Sequence, residues 1–366
     1  MSTEQPLTPA HTIQNFPVVG VGASAGGLKA FQRFLETIPH NSGMAFVFVQ
    51  HLAPSHESVL TEILAKYTDL PVYEIVDEIN LAPNNIYILP ANKMLKATDG
   101  KLILTARDLT NNKNMPIDLF FNSLAEVHRS FSIGVVLSGA GFDGSRGLQA
   151  IKEMGGVTYA QNPETATFDS MPNNAINTGS VDFILPPEDI PPHLLHVNEA
   201  YRTNHAYADD LLLSPDEDDV FKHILRIVRL RSGNDFTNYK QPTIRRRIAR
   251  RMVVNKMEDP STYVKFLRHN LDEQDALFND ILIPVTNFFR DAKTFEVLGE
   301  AVFPLLLKNK KPDESIRIWS AGCSTGEEAY SLAICLHEFL AEKAPGMKVQ
   351  IFASDISEAV IVKARA

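Results

Sequence analysis

The sequence predicts an α/β protein, a doubly wound and mostly parallel sheet over its first half, followed by a small all-helical stretch and the start of a second, Rossmann-like unit. Three observations carry this. Continuous apolar runs at 16–22, 44–50 and 132–138 read as buried strands. Helix-spaced apolar residues follow each of them. Glycine-rich turns join two of these strands to their helices, and the same strand–glycine–helix order returns after Ile316.

Each element follows in order. Residues 1–15 are polar and read as a disordered lead-in with no apolar h-region. Phe16-Pro-Val-Val-Gly-Val-Gly22 is a first strand, with Leu28, Phe31, Phe34, Leu35 and Ile38 on the helix behind it. Met44-Ala-Phe-Val-Phe-Val-Gln50 is a second strand. Val59, Leu60, Ile63, Leu64 and Tyr67 mark the next helix, with Ser55 as its N-cap. Between Val72 and Thr105, short apolar pieces broken by Pro83, Asn84-Asn85 and Asp99-Gly100 read as hairpins or short strands. Ser132-Ile-Gly-Val-Val-Leu-Ser138 runs through glycines into a helix with Leu148, Ile151 and Met154, and 156–160 and 181–185 complete the sheet. These boundaries give a domain at 16–186. The proline pairs and the acidic run at 216–219 give a linker at 187–217. Helical residues follow at 218–290, and the second strand–glycine–helix unit occupies 291–366.

The chain has 366 residues, 44% of them apolar and 22% charged, in keeping with about two folded domains. A net charge of -9 excludes a general nucleic-acid or anionic-membrane binder. No apolar run approaches the ~20 residues of a membrane span. Cys323 and Cys335 fit neither a zinc site nor a disulfide framework, which points to a cytoplasmic setting and no metal.

Gly22-Ala-Ser24-Ala-Gly26 at a strand-to-helix turn has the form of a nucleophile elbow. Its glycines relieve crowding, and the helix N-terminus offers N–H groups to an oxyanion. Gly20-x-Gly22-x-x-Ala25 also allows a weak dinucleotide fingerprint, but the next strand ends in Gln50-His51, with no acid to hold a ribose. His51 stands where it can take the Ser24 proton and return it. Its bland alternative is a loop histidine, and His56 reads as surface. Asp143 could orient the histidine, or could cap the helix that starts near Gly144. Backbone N–H groups near Ser24 and in the glycines after Ser138 are the expected oxyanion donors.

Gly-Ala-Ser24-Ala-Gly-Gly, Gln50-His51, Leu137-Ser-Gly-Ala-Gly-Phe-Asp143-Gly and Gln161-Asn-Pro with Met171-Pro-Asn-Asn-Ala-Ile176 resemble the catalytic domain of CheB chemoreceptor methylesterases. The resemblance implies a catalytic Ser24, His51 and Asp143, hydrolysis of glutamyl methyl esters on receptor helices, deamidation of glutamines there, and no cofactor for this half. Two departures stand out. Ala140 replaces the methionine of many relatives, and the sequence shows no receiver domain. The Met115-Pro-Ile-Asp118 stretch looks like the version in CheB–CheR fusions.

Between Tyr239 and Lys256 lie Lys240, Arg245, Arg246, Arg247, Arg250, Arg251 and Lys256 with no acid, while Ile244, Ile248 and Met252 form an apolar stripe. A solvated face and a docking face for an acidic partner are both open readings. Nucleic acid is disfavoured because no aromatic residue is interleaved to stack on bases. Further on, a glycine turn after Ile316 and an acid closing the next strand suggest an adenosine-containing cofactor. Thr243-Ile-Arg-Arg-Arg-Ile248, Val285-Thr-Asn-Phe-Phe-Arg290-Asp, Trp319-Ser-Ala-Gly322-Cys-Ser-Thr-Gly-Glu327-Glu and Phe352-Ala-Ser-Asp355 resemble CheR methyltransferases. That resemblance implies S-adenosylmethionine as cofactor, contacts at Arg290, Gly322, Glu327 and Asp355, and the basic helix as the receptor dock. About two strands of the expected seven are present, so methyl transfer is expected to be incomplete. A non-catalytic receptor-binding scaffold and an S-adenosylmethionine sensor are the rival readings.

Overall fold

The computed structural model describes residues 16–50, 60–107, 115–208, 215–282, 286–308, 310 and 314–366. The lead-in at 1–15, the Ser55 cap, His51 and His56 lie outside the described residues. Two compact units divide the chain after Ile281, rather than at the 290 boundary read from sequence.

The first unit is built on β1 (Val18–Ala23), α1 (Gly27–Leu35), β2 (Ala45–Gln50), α2 (Leu60–Leu64), β3 (Val72–Glu74), β4 (Glu78–Asn80), β5 (Ile86–Ile88), β6 (Lys93–Thr98) and β7 (Lys101–Ala106). Then come α3 (Pro116–His128), β8 (Ser132–Val136), α4 (Ser145–Glu153), β9 (Val157–Gln161), α5 (Ser170–Asn177) and β10 (Phe183–Leu185). Seven strands form one parallel sheet in the order β10-β9-β8-β1-β2-β5-β3. The chain leaves the central β1 toward β2 on one side and returns to it through β8 on the other, which makes a topological switch point at the β1–β8 edge. A small antiparallel sheet, β4-β7-β6, lies against α3, where Ala97 N–H donates to Ser123 Oγ at 2.9 Å.

Strand alternation sends side chains to two cores. Val19, Val21 and Ala23 of β1, with Phe46 and Phe48 of β2, face one core, where Phe31 meets Phe48 edge-on at 4.9 Å. Val18, Val47 and Val49 face the other, with Ile117, Phe120 and Phe121 of α3. Each buried ring or branched chain is worth about 1.5–3 kcal/mol in burial. On the α3 side the central strands carry glycine. A Cβ at Gly20 would stand 2.7 Å from the Phe121 ring, and one at Gly22 would stand 2.5 Å from Ile117 Cγ2. Helix α3 therefore lies flush on β1, and this brings its N-terminus to the strand ends.

Residues 187–217, read as a linker, include α6 (Ile190–Ala208), and α7 (Pro215–Ser232) begins within their last three positions. Pro191 and Pro192 sit in the first turn of α6, where a missing N–H costs nothing, so they start a helix instead of breaking one. Ile190, Leu194 and Val197 are buried in the first core. Helices α7, α8 (Gln241–Val254), α9 (Pro260–His269) and α10 (Leu271–Ile281) complete the unit, and α8 adds Val253 to that same core.

The second unit comprises α11 (Ala292–Val297), α12 (Phe303–Leu307), β11 (Ser315–Ala321), α13 (Glu327–Lys343), β12 (Lys348–Ser354) and α14 (Glu358–Arg365). Its two strands pair in parallel, and its core is small: Phe303, Ile316, Leu336 and Leu340. Among the described residues no helix is long and apolar enough to cross a membrane.

Candidate functional site

Ser24 stands one residue beyond β1, on the turn into α1, half-exposed. Its own N–H donates to Ser138 O at 3.0 Å, and its carbonyl accepts from Gly27 N at 2.9 Å. The turn is left-handed at Gly26, φ 72°, where a Cβ would stand 2.9 Å from both Ser138 Oγ and Thr167 Cβ. Ser138, buried, ties three segments together. Its hydroxyl lies 3.1 Å from Ala25 O and 3.3 Å from Phe168 O, accepts from Phe168 N at 3.0 Å, and its N–H donates to Gln161 Oε1 at 2.8 Å. Gly139 packs on the serine: a Cβ there would be 3.0 Å from Ser24 Cβ and 2.0 Å from Met171 Sδ.

The expected oxyanion donors sort into two groups. The N–H groups of Ser24 and Gly139 are committed, to Ser138 O and to Phe168 O. Among the described residues no acceptor takes the N–H of Ala25, Gly26, Ala140 or Gly141. Two aromatic rings stand out to solvent here, Phe142 and Phe168, 53% and 48% exposed.

Asp143 is buried, and its carboxylate accepts from Asp118 N at 2.9 Å and Ile117 N at 3.1 Å. It caps α3, not the helix that follows it; α4 has Gly144 as its N-cap, φ 93°. Asp118 reciprocates from the first turn of α3, its Oδ1 accepting from Gly147 N of α4 at 2.7 Å. Two helix N-termini thus point at two buried carboxylates, and each helix holds the other's acid. Burial pushes the Asp143 carboxyl up to about 7, against the two N–H bonds that favour its charge, and the neighbouring Asp118 adds to the rise. Asp118 is also raised by burial. Asp118 stood out in the sequence only as the end of the Met115-Pro-Ile-Asp118 stretch, with no role in this arrangement; an Asp just inside a helix opened by proline was the available signal.

Gln50, the last residue of β2, pairs in register with Ala23 of β1. The β2 end therefore lies beside the Ser24 turn, and His51 is the next residue in the chain. The sheet brings the Ser24 turn, the β2 end and the Ser138–Asp143 loop to one rim.

In the second unit the glycine turn is stitched to the next strand. Gly322 and Cys323 N–H both donate to Ser354 O, at 2.7 and 3.0 Å. Asp355 Oδ2 accepts from Ser324 N and its Oδ1 from Ser357 N, both at 2.9 Å. Glu327 opens α13 and accepts from Thr325 Oγ1 at 2.6 Å. Arg290 is exposed. Gly322 and Asp355 are therefore brought together, with Glu327 a short step into α13. A buried Ser324 hydroxyl has no hydrogen-bond partner, and a Cβ at Gly322 would meet nothing within 4 Å. An open cradle with a carboxylate and a spare hydroxyl suits a hydroxyl-bearing cofactor.

The basic helix does not form the expected outward docking face. Arg245, Arg247 and Arg250 of α8 are buried and Arg246 and Arg251 half-buried; the end of α4, Gly156 and Asp182 accept from Arg247 and Arg250, and Glu273 of α10 accepts from Arg251.

Comparison with known proteins accounts for all three regions. The CheB methylesterase model matches residues 19–194, the all-alpha domain of CheR methyltransferases matches 219–282, and the CheR SAM-binding domain matches 284–366. An "Uncharacterized 104.1 kDa protein in hypE 3'region" of Rhodobacter capsulatus is 36% identical over 318 residues, 81% of this chain and 33% of that protein. A putative protein-glutamate methylesterase/protein-glutamine glutaminase of Leptospira interrogans is 33% identical over 48% of this chain and 92% of its own length. The chain thus spans a third of the former and nearly all of the latter. The crystal structure of the Thermotoga maritima CheB methylesterase catalytic domain aligns with 32% identity and a TM-score of 0.46, covering 50% of this chain and 98% of that one. The chain belongs to the CheB methylesterase family through its first half, and carries the all-alpha and SAM-binding modules of the CheR methyltransferases behind it.

Proposed function

We propose that the first unit is a serine hydrolase that removes methyl esters from glutamates of chemoreceptor helices, in the adaptation chemistry of bacterial chemotaxis. The observation that carries the reading is the Ser24 turn: a serine at the end of the central strand, at the sheet's switch point, beside the end of β2 and the Asp143 loop. Ser24 Oγ attacks the ester carbonyl while His51 takes its proton. The oxyanion meets uncommitted N–H groups among Ala25, Gly26, Ala140 and Gly141. The intermediate collapses to a glutamyl-serine ester, and His51 returns the proton to the departing methanol. Water then attacks the acyl group with His51 again as base, releasing glutamate and restoring Ser24.

Asp143, once ionised, holds the His51 ring and stabilises the imidazolium. Its high pKa makes it ionise only near neutrality. A glutamine side chain can follow the same path with ammonia as leaving group. Phe142 and Phe168 give an amphipathic receptor helix apolar contacts beside the serine.

In the second unit, Arg290, Gly322, Glu327 and Asp355 are the residues to hold S-adenosylmethionine, which supplies an electrophilic methyl group when bound. Asp355 would accept from ribose hydroxyls while it keeps the glycine turn in place.

The test is methanol release from methylated receptor cytoplasmic fragments. The full chain should release methanol and leave free glutamate. Release no faster than in buffer, by protein whose folding is verified, would refute the proposal.

A further inference from the structure

The segment from Ser138 to Asp143 carries the candidate aspartate and two of the uncommitted N–H groups, those of Ala140 and Gly141. Its two halves are held in different ways. At Gly139 the backbone is fixed by packing against Met171 and Ser24, and its N–H and carbonyl bond to Phe168 O and Met171 N, both at 3.0 Å. At Gly141 nothing packs. The residue is exposed at φ 91°, and a Cβ there would meet nothing within 4 Å. A glycine on each side of Ala140 gives this stretch wide backbone freedom, so its conformation has to be imposed from outside.

Helix α5 imposes it. Asn174 Nδ2 donates to Gly141 O at 2.7 Å, and Ser170 Oγ donates to the same carbonyl at 3.3 Å. Asn174 is half-buried and takes the shorter bond, one turn beyond the Met171 that packs on Gly139. A trans peptide points its N–H opposite to its C=O. With the Gly139 and Gly141 carbonyls both drawn onto the Ser170–Asn174 face, the N–H groups that follow them, on Ala140 and Phe142, point away from α5.

We propose that Asn174 is a positioning residue of the esterase: by holding the Gly141 carbonyl it fixes the peptide planes of the 139–142 segment, and so aims their N–H groups for the oxyanion of the ester. The inference rests on the Ser24 hydrolase reading and adds the group that shapes its oxyanion side. Asn174 acts through the loop, so its loss lowers the share of molecules with the loop in register. One hydrogen bond of ordinary net worth changes such a share by roughly threefold to tenfold. The chemical step feels this, and binding of the receptor helix does not.

The experiment compares the full chain with Asn174→Ala and Asn174→Asp. Alanine is a better helix former than asparagine, so the first variant keeps α5. The second keeps the shape and lacks the donor at neutral pH. In both, kcat for methanol release from methylated receptor fragments should fall about tenfold, with KM within about twofold. The rate of fluorophosphonate labelling at Ser24 should slow by a similar factor, although that small probe carries no receptor helix. Turnover and labelling within about twofold of wild type in both variants would overturn the assignment. A loss confined to KM, with labelling unchanged, would overturn it too, because Asn174 would then be a receptor contact. A wild-type chain that takes no label at Ser24 would remove the hydrolase reading itself, and this inference with it.

Discussion

Two glycine turns in this chain share a backbone and differ in everything around it. Gly26 and Gly322 both sit at φ 72°, each after a parallel strand and shortly before a helix. At Gly26 the space is full: Ser138 Oγ, Thr167 and Phe168 crowd the missing Cβ. At Gly322 nothing lies within 4 Å. The first turn is enclosed because Ser138, after β8, and the 167–168 segment, after β9, close over it. The second stands at the end of a two-stranded sheet where Trp319 and Phe352 are 71% and 48% exposed. The local motif sets the turn; the neighbouring strands decide how tightly it is held.

The largest expected effect belongs to the enclosed turn. Ser24→Ala should lower methanol release by roughly 10⁴–10⁶-fold with little change in fold. Asp143→Asn comes next, at about 10³–10⁴-fold in kcat, since the histidine loses its orienting charge. That same variant separates stability from activity. Burial raises the folded-state pKa of Asp143 to about 7, from an ordinary 3.8. Between those values the folded chain binds more protons than the unfolded chain, so this group makes stability fall as pH rises through the window. Urea unfolding at pH 5 and pH 8 should show that fall in the wild type and a smaller one in Asp143→Asn. The esterase rate should rise with pH through about 7 for the same reason.

The glycine pair sharpens the comparison directly. Gly26→Ala adds left-handed strain and contacts under 3.0 Å, for a loss of about 2–4 kcal/mol. Gly322→Ala meets strain alone, about 1–2 kcal/mol. Equal losses in chemical denaturation would mean that enclosure does not distinguish the turns. The smallest effect is at the rim. Phe168→Ser should raise KM for receptor fragments several-fold while kcat stays within about twofold, the pattern of a lost binding contact.

Much of this was legible in the residues. Continuous apolar strands with helix-spaced residues behind them announce a doubly wound sheet, and Ser24 and Asp143 were readable as strand-end groups. What stayed hidden was relational. Gly20 and Gly22 do not show, in sequence, that α3 lies on them and delivers Ile117 and Asp118 N–H to Asp143. Pro191 and Pro192 read as a linker because proline breaks helices in their middle and opens them at their start. The α8 arginines read as a charged surface because composition carries no information about a buried Asp182 some sixty-eight positions earlier. Asp182 itself is raised by burial, then brought below its ordinary range by Arg250 and Lys152.

The claim that matters most is that Ser24 is the nucleophile, and it can be read by covalent labelling. The full chain is treated with a fluorophosphonate probe and digested, and the modified peptide is located by mass spectrometry. The expected result is a single adduct on the peptide containing Ser24, lost in Ser24→Ala and strongly slowed in His51→Ala. An adduct on another serine, or undiminished labelling of Ser24→Ala, would contradict the account.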